Sequence, residues 1–287
     1  GRPGSRPSPS SSTRPRRSPA RSLASRAERR AARNAPLPPP LPPARRTIGQ
    51  VVAESLRFYG SRFWGLVPTG IAPAALDLVG GSAGRAISLA VLLTLGSLLM
   101  TAAYVRACVV LLDPPLVRER LARGFAVGVA AFVVIPLVLF AFVVPGVVWL
   151  ALVGLLFPIP WLAFVGLAVP VALVEGAGFS ASFRRAVELA RAGYVHAVGS
   201  LFTLVVVFFL SRTVLVLLLQ GQGDQTQQVA VFLADLVLAP VLFVGGALLY
   251  IDQNARWENR LENDSGRSRA EIALEALESR RPPVEEA

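Results

Sequence analysis

Apolar residues are arranged along this chain in long uninterrupted stretches separated by short polar segments. A helix needs about 20 apolar residues to cross a bilayer. Stretches near that length lie at 63–79, 86–112, 125–144, 147–174, 196–219 and 229–251. The pattern predicts an all-α fold, namely a polytopic transmembrane helical bundle of about six spans with short interfacial amphipathic helices.

The third and fourth predicted spans come from one apolar stretch, because no charged residue lies between Phe125 and Val174. Pro145-Gly146 is the first candidate for the turn between them. Pro158 and Pro160 form a rival break, which would leave about 14 residues for the fourth span and is short for a crossing. The sequence leaves both positions open.

Proline also marks the first predicted span, which contains Pro68, Gly70 and Pro73. Proline has no backbone N–H, and its ring collides with the preceding helical turn. We therefore expect this span to be kinked.

Three short polar segments each precede a pair of spans, and they begin near residues 47, 115 and 178. The first starts with Thr47-Ile-Gly-Gln50, which has the form of a capping box. The second is the arginine-rich stretch 113–124. On the third, at 175–194, helical spacing gathers one apolar face, made of Phe179, Phe183, Val187, Ala190 and Tyr194. Basic amphipathic helices between spans are typical of the headgroup layer.

The third segment opens on a loop hinge made of Glu175, Gly176 and Gly178. Glycine allows a sharp turn at this position. Ser180 or Ser182 can then cap the helix that follows.

The overall composition is that of a membrane protein, and residues 1–46 differ from the rest as a basic tail. Hydrophobic residues make up 53% of the chain and charged residues 16%, against about 25% charged in ordinary soluble domains. All 29 basic residues are arginine. Residues 1–46 hold twelve of them and a single acid, so this Pro- and Ser-rich tail carries the whole net charge of +11. Such a composition is typical of disorder.

We therefore divide the chain into three parts. Residues 1–46 form a disordered tail, which could also be a targeting leader, and residues 47–252 form the six-span membrane domain. Residues 253–287 form a charged tail, in which Ser268-Arg-Ala-Glu271 begins a short capped helix.

Arginine marks alternate loops of the membrane domain. The N-terminal tail, the segments 113–124 and 175–194 and the start of the C-terminal tail are basic, whereas the turns at 80–84, 144–146 and 220–228 contain no arginine. Cytoplasmic loops are the ones enriched in basic residues. We expect both termini to be cytoplasmic, in the plasma membrane of a bacterium.

The basic segments suggest contact with anionic membrane lipids, because guanidinium groups bind phosphate as a fork. The candidate headgroup contacts are Arg118, Arg120, Arg123, Arg184, Arg185 and Arg191. A protein partner or homo-oligomer is also possible on this surface. No specific nucleic acid is indicated.

Two charged residues lie inside predicted spans. Arg212 and Asp235 stand at similar depth from the turn that joins the last two spans. An isolated charge there is costly, so we predict that they form an intramembrane ion pair. The pair is a structural clasp or an ion or proton site, and the latter would suit a transporter of a small solute or lipid. Asp77 lies within reach of Arg85.

Enzyme sites have little support. One cysteine, Cys108, and one histidine, His196, exclude the usual zinc sites, and a chain without lysine cannot form a Walker A motif. Glu175 has no accompanying nucleophile or metal set, and we interpret it as a partner of Arg184 or Arg185. We expect no enzymatic activity, no cofactor and no metal.

Short motifs occur in a recognisable order over about 47–260. They are Thr47-Ile-Gly-Gln50, then Glu175-Gly176 with Arg184-Arg185 and Tyr194, then Tyr250-Ile-Asp252. Together they resemble the glycerophosphoryl diester phosphodiesterase membrane-domain family, although its usual Arg-Gly-x-Phe-Trp is Arg191-Ala-Gly-Tyr-Val here. The resemblance implies an integral membrane module of undefined role. The family's separate catalytic domain has no counterpart in this chain.

Overall fold

A computed structural model describes residues 42–82, 90–115, 117–143, 156–219, 221 and 223–278. These residues are about 90% helical and include no strand. Four of their helices are long and apolar enough to span a membrane, and they are Leu92–Leu112, Arg118–Val138, Tyr194–Leu218 and Gln225–Arg267. The all-α class is therefore confirmed for these residues, together with helices long and apolar enough to cross a membrane.

The helices are numbered here in chain order. They are α1 (Ile48–Ser61), α2 (Phe63–Leu66), α3 (Ile71–Ser82), α4 (Ser97–Leu112), α5 (Arg118–Val143), α6 (Pro158–Val165), α7 (Ala168–Val174), α8 (Phe179–Ala192), α9 (Tyr194–Leu218) and α10 (Asp224–Glu278). Tight 3-10 turns occupy Pro43–Arg45 and Val67–Gly70, and the π-helical turn Leu92–Gly96 leads into α4.

The predicted capping box at the start of α1 is confirmed. The Thr47 hydroxyl accepts a hydrogen bond from the Gln50 backbone N–H, and the Gln50 side chain accepts one from the Thr47 N–H at 2.8 Å. Two backbone donors of the first turn are thereby satisfied. Val51, Ser55 and Tyr59 form the buried face of this helix.

The first predicted span is interrupted, as its prolines indicate. The 3-10 turn Val67–Gly70 separates α2 from α3. At this turn the backbone packs directly on α10, because a Cβ at Gly70 would collide with the carbonyl oxygen of Leu236. Glycine is required here for close approach of two backbones.

The fourth predicted span is described only from residue 156 onward. There Pro158–Val174 is an apolar helical segment shorter than the four long helices, and a turn at Gly166 separates α6 from α7. α6 begins at Pro158, one of the two proposed break points. Pro145-Gly146 lies outside the described residues.

Helix α10 is the central element of the bundle. It packs against α1, α3, α4, α8 and α9 and against both 3-10 turns. Its 55 residues run without a break from Asp224 to Glu278. The separate short helix expected at Ser268 is not observed, because the last predicted span and the charged tail form one continuous helix.

The second polar segment also differs from expectation. Asp113 ends α4 in the left-handed conformation, and α5 then runs from Arg118 to Val143 without a break. Residues 118–124 are therefore the first turns of a long helix and not a separate interfacial helix.

The third polar segment forms a 14-residue helix, α8. No side chain caps its first turn. The expected cap at Ser182 is wrong, because this buried hydroxyl donates to the Gly178 carbonyl instead. Small residues, including Ser182 and Ala186, form the inward face and let α8 pack closely on α7 and α10. Phe179 stays about half exposed on the outer face.

Candidate functional site

Charged side chains gather in two places, which lie at different heights along α10. The first surrounds Asp252 and Glu175 and is called the basic end here, because Arg46, Arg123, Arg185 and Arg256 lie in it. The second surrounds Asp235. The two aspartates are 17 positions apart in one helix, which corresponds to ~26 Å along its axis.

Asp252 is completely buried at the basic end. Arg46 donates a hydrogen bond to its Oδ1 at 3.0 Å, and His196 Nε2 lies 3.6 Å from its Oδ2. Arg256 in turn donates to the Arg46 backbone carbonyl at 2.8 Å. These contacts hold the segment before α1 against α10. The compact unit that holds the described residues begins at Pro42.

The turn between α8 and α9 is held in the same way. Gln253 is buried and donates to the Gly193 carbonyl at 3.2 Å, and Arg260 donates to the Arg191 carbonyl at 3.3 Å. Carbonyls at a helix end lack intrahelical partners. Side chains of α10 satisfy them here.

Glu175 lies between α8 and α10. Arg185 Nε is 3.5 Å from its Oε2, and the Tyr250 hydroxyl donates to its Oε1 at 3.2 Å. The Arg185 guanidinium also lies over the ring of Trp257, at 5.3 Å from the centroid, and donates to Asn254. Of the two arginines that the sequence offered as partners for Glu175, the structure places Arg185 beside it.

Besides Arg185, two more of the candidate lipid contacts are used inside the protein. Arg120 donates to the Val174 carbonyl and Arg123 to the Gly176 carbonyl, both at 2.9 Å. They cap the C-terminal end of α7, where positive charge is favourable. Arg123 also pairs with Glu119.

Arg118, Arg184 and Arg191 are the exposed members of the candidate set. Exposed apolar side chains lie nearby in sequence. Phe179 is half exposed at the start of α8, and Val195 is 81% exposed at the start of α9. Guanidinium groups and apolar side chains are therefore presented together at the basic end.

The two glycines of the hinge differ in role. Gly176 has φ +69°, a left-handed conformation that side chains other than glycine rarely adopt, and the Arg120 guanidinium packs against it. Gly178 has φ −65° and open space where a Cβ would stand. Only Gly176 is needed for the turn.

The second site joins α3, α9 and α10. Arg212 Nε lies 3.6 Å from Oδ1 of Asp235, the partner expected from the sequence. The same guanidinium hydrogen-bonds Asp77. We expected Asp77 to lie near Arg85, which is outside the described residues. A shallow groove beside the cluster is lined by Phe209, Arg212, Thr213, Val216 and Leu217.

Sequence reasoning missed several members of these sites. Asn254 and Trp257 follow Tyr250 at helical spacing on α10 and contact Arg185, and this signal could be recognised only if the helix were extended beyond Asp252. The described residues contain no group of three metal-binding side chains.

Comparisons with protein-family models, with curated proteins and with solved structures found no match to this chain. The class therefore follows from the fold alone. It is a helical protein with four helices long and apolar enough to cross a membrane, and charged clusters link the central helix α10 to the start of the compact unit, α3, α8 and α9.

Proposed function

We propose that this protein is a non-enzymatic integral membrane module whose basic end contacts anionic lipid headgroups. The observation that carries the proposal is the joint exposure of Arg184, Arg191 and Phe179 on α8. An apolar group entering the headgroup layer places a neighbouring guanidinium at phosphate height.

Hydrogen bonds and ion pairs within the protein limit the arginines that we propose as headgroup contacts. Arg120, Arg123 and Arg185 are held by carbonyls and carboxylates of the protein. Arg118, Arg184 and Arg191 remain as headgroup contacts, each contributing about 1 kcal/mol near an anionic surface.

We further propose six spans with both termini in the cytoplasm. The two spans beyond the four long helices would be α2–α3 with their intervening turn and the segment ending in α7. The contact of Arg46 with Asp252 supports this arrangement, because it holds the start and the end of the membrane domain at one height. The positive-inside rule supports a cytoplasmic basic end.

Outward-facing apolar side chains on α9 support lipid contact along the spans. They include Phe202, Phe209, Leu210 and Leu217. A soluble protein rarely exposes so continuous an apolar face.

We keep the resemblance to the glycerophosphoryl diester phosphodiesterase membrane-domain family as part of this proposal. Glu175 and Tyr250 belong to two separate motifs of that resemblance, and their side chains hydrogen-bond each other. Two motifs that carry the resemblance are therefore in contact in this chain, although they lie 75 positions apart.

Native mass spectrometry of the full chain in mixed anionic and zwitterionic lipid tests the headgroup role. The double variant Arg184→Gln, Arg191→Gln should retain clearly less anionic lipid than the wild type. The control is Arg57→Gln with Arg267→Gln, which removes two exposed arginines on other helices. Equal anionic lipid on both double variants would count against the proposal.

A transporter of a small solute or lipid is the second candidate. It is favoured by the interruption at Val67–Gly70, which packs on α10 at Leu236, next to Asp235. Interrupted helices beside a charged residue are typical of transport sites. Solute uptake into proteoliposomes that is abolished by Asp235→Asn would support transport, and an unchanged flux in that variant would leave Asp235 a structural residue.

A further inference from the structure

We infer that Asp77, Arg212 and Asp235 form a proton-binding site, in which one proton is held between the two carboxyl groups. This inference does not rest on the headgroup role, since it concerns the other charged site along α10. It also stands whether or not the protein moves a solute.

Among the described residues, the cluster holds more negative than positive charge. Two carboxylates face one guanidinium, because Arg212 contacts both Asp77 and Asp235. With both acids ionised, the cluster would keep a net negative charge between three apolar helices. Unbalanced charge in such surroundings is costly, and the group neutralises instead.

The geometry places the proton on the α10 side of the cluster. Arg212 forms a hydrogen bond with Asp77, which is about 41% exposed. Its Nε is 3.6 Å from Asp235, which is too far for a hydrogen bond. Asp235 is only 2% exposed, and its Oδ1 accepts no hydrogen bond within the described part of the chain.

Within the described part of the chain, Arg212 from α9 contacts Asp235, and Asp77 from α3 contacts the same guanidinium. Ionised carboxylates are acceptors only, so a bond between two carboxyl groups exists only when one carries a proton. Paired aspartates that share a proton follow the same electrostatic rule.

A proton fits this site better than a metal cation or an anion. Sodium and calcium need a shell of several oxygen ligands, whereas the side chains identified here are two carboxylates with a guanidinium between them. An anion would face those carboxylates. The site therefore binds a proton, which needs only two oxygen atoms as partners.

Infrared spectroscopy of the purified full chain in lipid, titrated from neutral to mildly acidic pH, tests the inference, since a protonated carboxyl has a carbonyl stretch distinct from carboxylate bands. We expect a protonated-carboxyl band that is lost in Asp235→Asn. We also expect its loss in Asp77→Asn, because Arg212 and Asp235 then form a neutral pair and need no proton. Asp77 is the more exposed acid, so this second variant remains informative if the first does not fold.

The matched control is Asp113→Asn. Asp113 is exposed and left-handed, with φ 45°, and asparagine tolerates that conformation. The band should persist in this control. A band that is unchanged in Asp77→Asn and Asp235→Asn would overturn the inference, and so would its absence from the wild type. Thermal stabilisation by sodium but not by choline in a protein without the band would assign the site to sodium instead.

Discussion

Replacing Asp252 by asparagine should destabilise the bundle far more than the loss of a surface charge. The Asp252 carboxylate is completely buried, accepts a hydrogen bond from Arg46 at 3.0 Å and lies 3.6 Å from His196. Asparagine keeps the size of the side chain but removes the negative charge that faces both groups.

The expected loss in the free energy of unfolding follows from the burial of the Arg46–Asp252 ion pair. Removing one partner of a buried ion pair costs about 3–5 kcal/mol. The Arg46 side chain is 14% exposed, so we expect the lower end of that range, about 3 kcal/mol. The exposed pair Arg57–Glu54 is 3.9 Å apart and supplies a matched control, Glu54→Gln, which should cost about 1 kcal/mol or less.

Cys108 provides the assay. It is the single cysteine of the chain and is completely buried. A thiol-reactive dye will therefore label it only when the bundle opens, and denaturant titration in detergent gives the free energy of unfolding. Equal losses in Asp252→Asn and Glu54→Gln would refute the reasoning. A second check is the double variant Arg46→Gln, Asp252→Asn, whose loss should be smaller than the sum of the single losses.

Two further predictions concern glycine and use the same assay. Gly70→Ala should lower the free energy of unfolding strongly, because the new methyl group meets the backbone carbonyl of Leu236, whereas Gly65→Ala meets nothing within 4 Å and should be neutral. Equal denaturation midpoints for Gly70→Ala and Gly65→Ala would contradict close backbone packing at Gly70. Gly176→Ala should cost about 1 kcal/mol or more because of its left-handed backbone, while Gly178→Ala, with ordinary φ and open space, should be tolerated.

The long apolar stretches were sufficient to predict the four helices that are long and apolar enough to cross a membrane, but not where the last of them ends. The last span was expected to stop near Asp252 because charged residues begin there, yet α10 continues to Glu278. A charged side chain prefers water to lipid, but its charge does not end a helix. A helix ends at a capping residue or at a helix-breaking residue such as proline. No proline occurs between Asp252 and Glu278, and the backbone hydrogen bonds continue.

Contacts in the candidate sites could be predicted only where the two residues lie on helices that are consecutive in the chain. Arg212 and Asp235 stand at similar depths on consecutive helices, so their pairing could be expected. Asp77 joins them through packing of α3, which no spacing in the sequence records. Arg120 was expected to face phosphate because the sequence does not show that α5 packs beside the end of α7, where the Val174 carbonyl accepts its hydrogen bond.

The position of α10 has a consequence for biosynthesis. Every other described helix precedes it in the chain, yet α1, α3, α4, α8 and α9 all pack against it. During translation those earlier helices are synthesised before their common neighbour exists. Their packing around α10 must therefore wait for the last quarter of the polypeptide, and ribosome stalling before Asp224 would leave helices that have not yet associated around it.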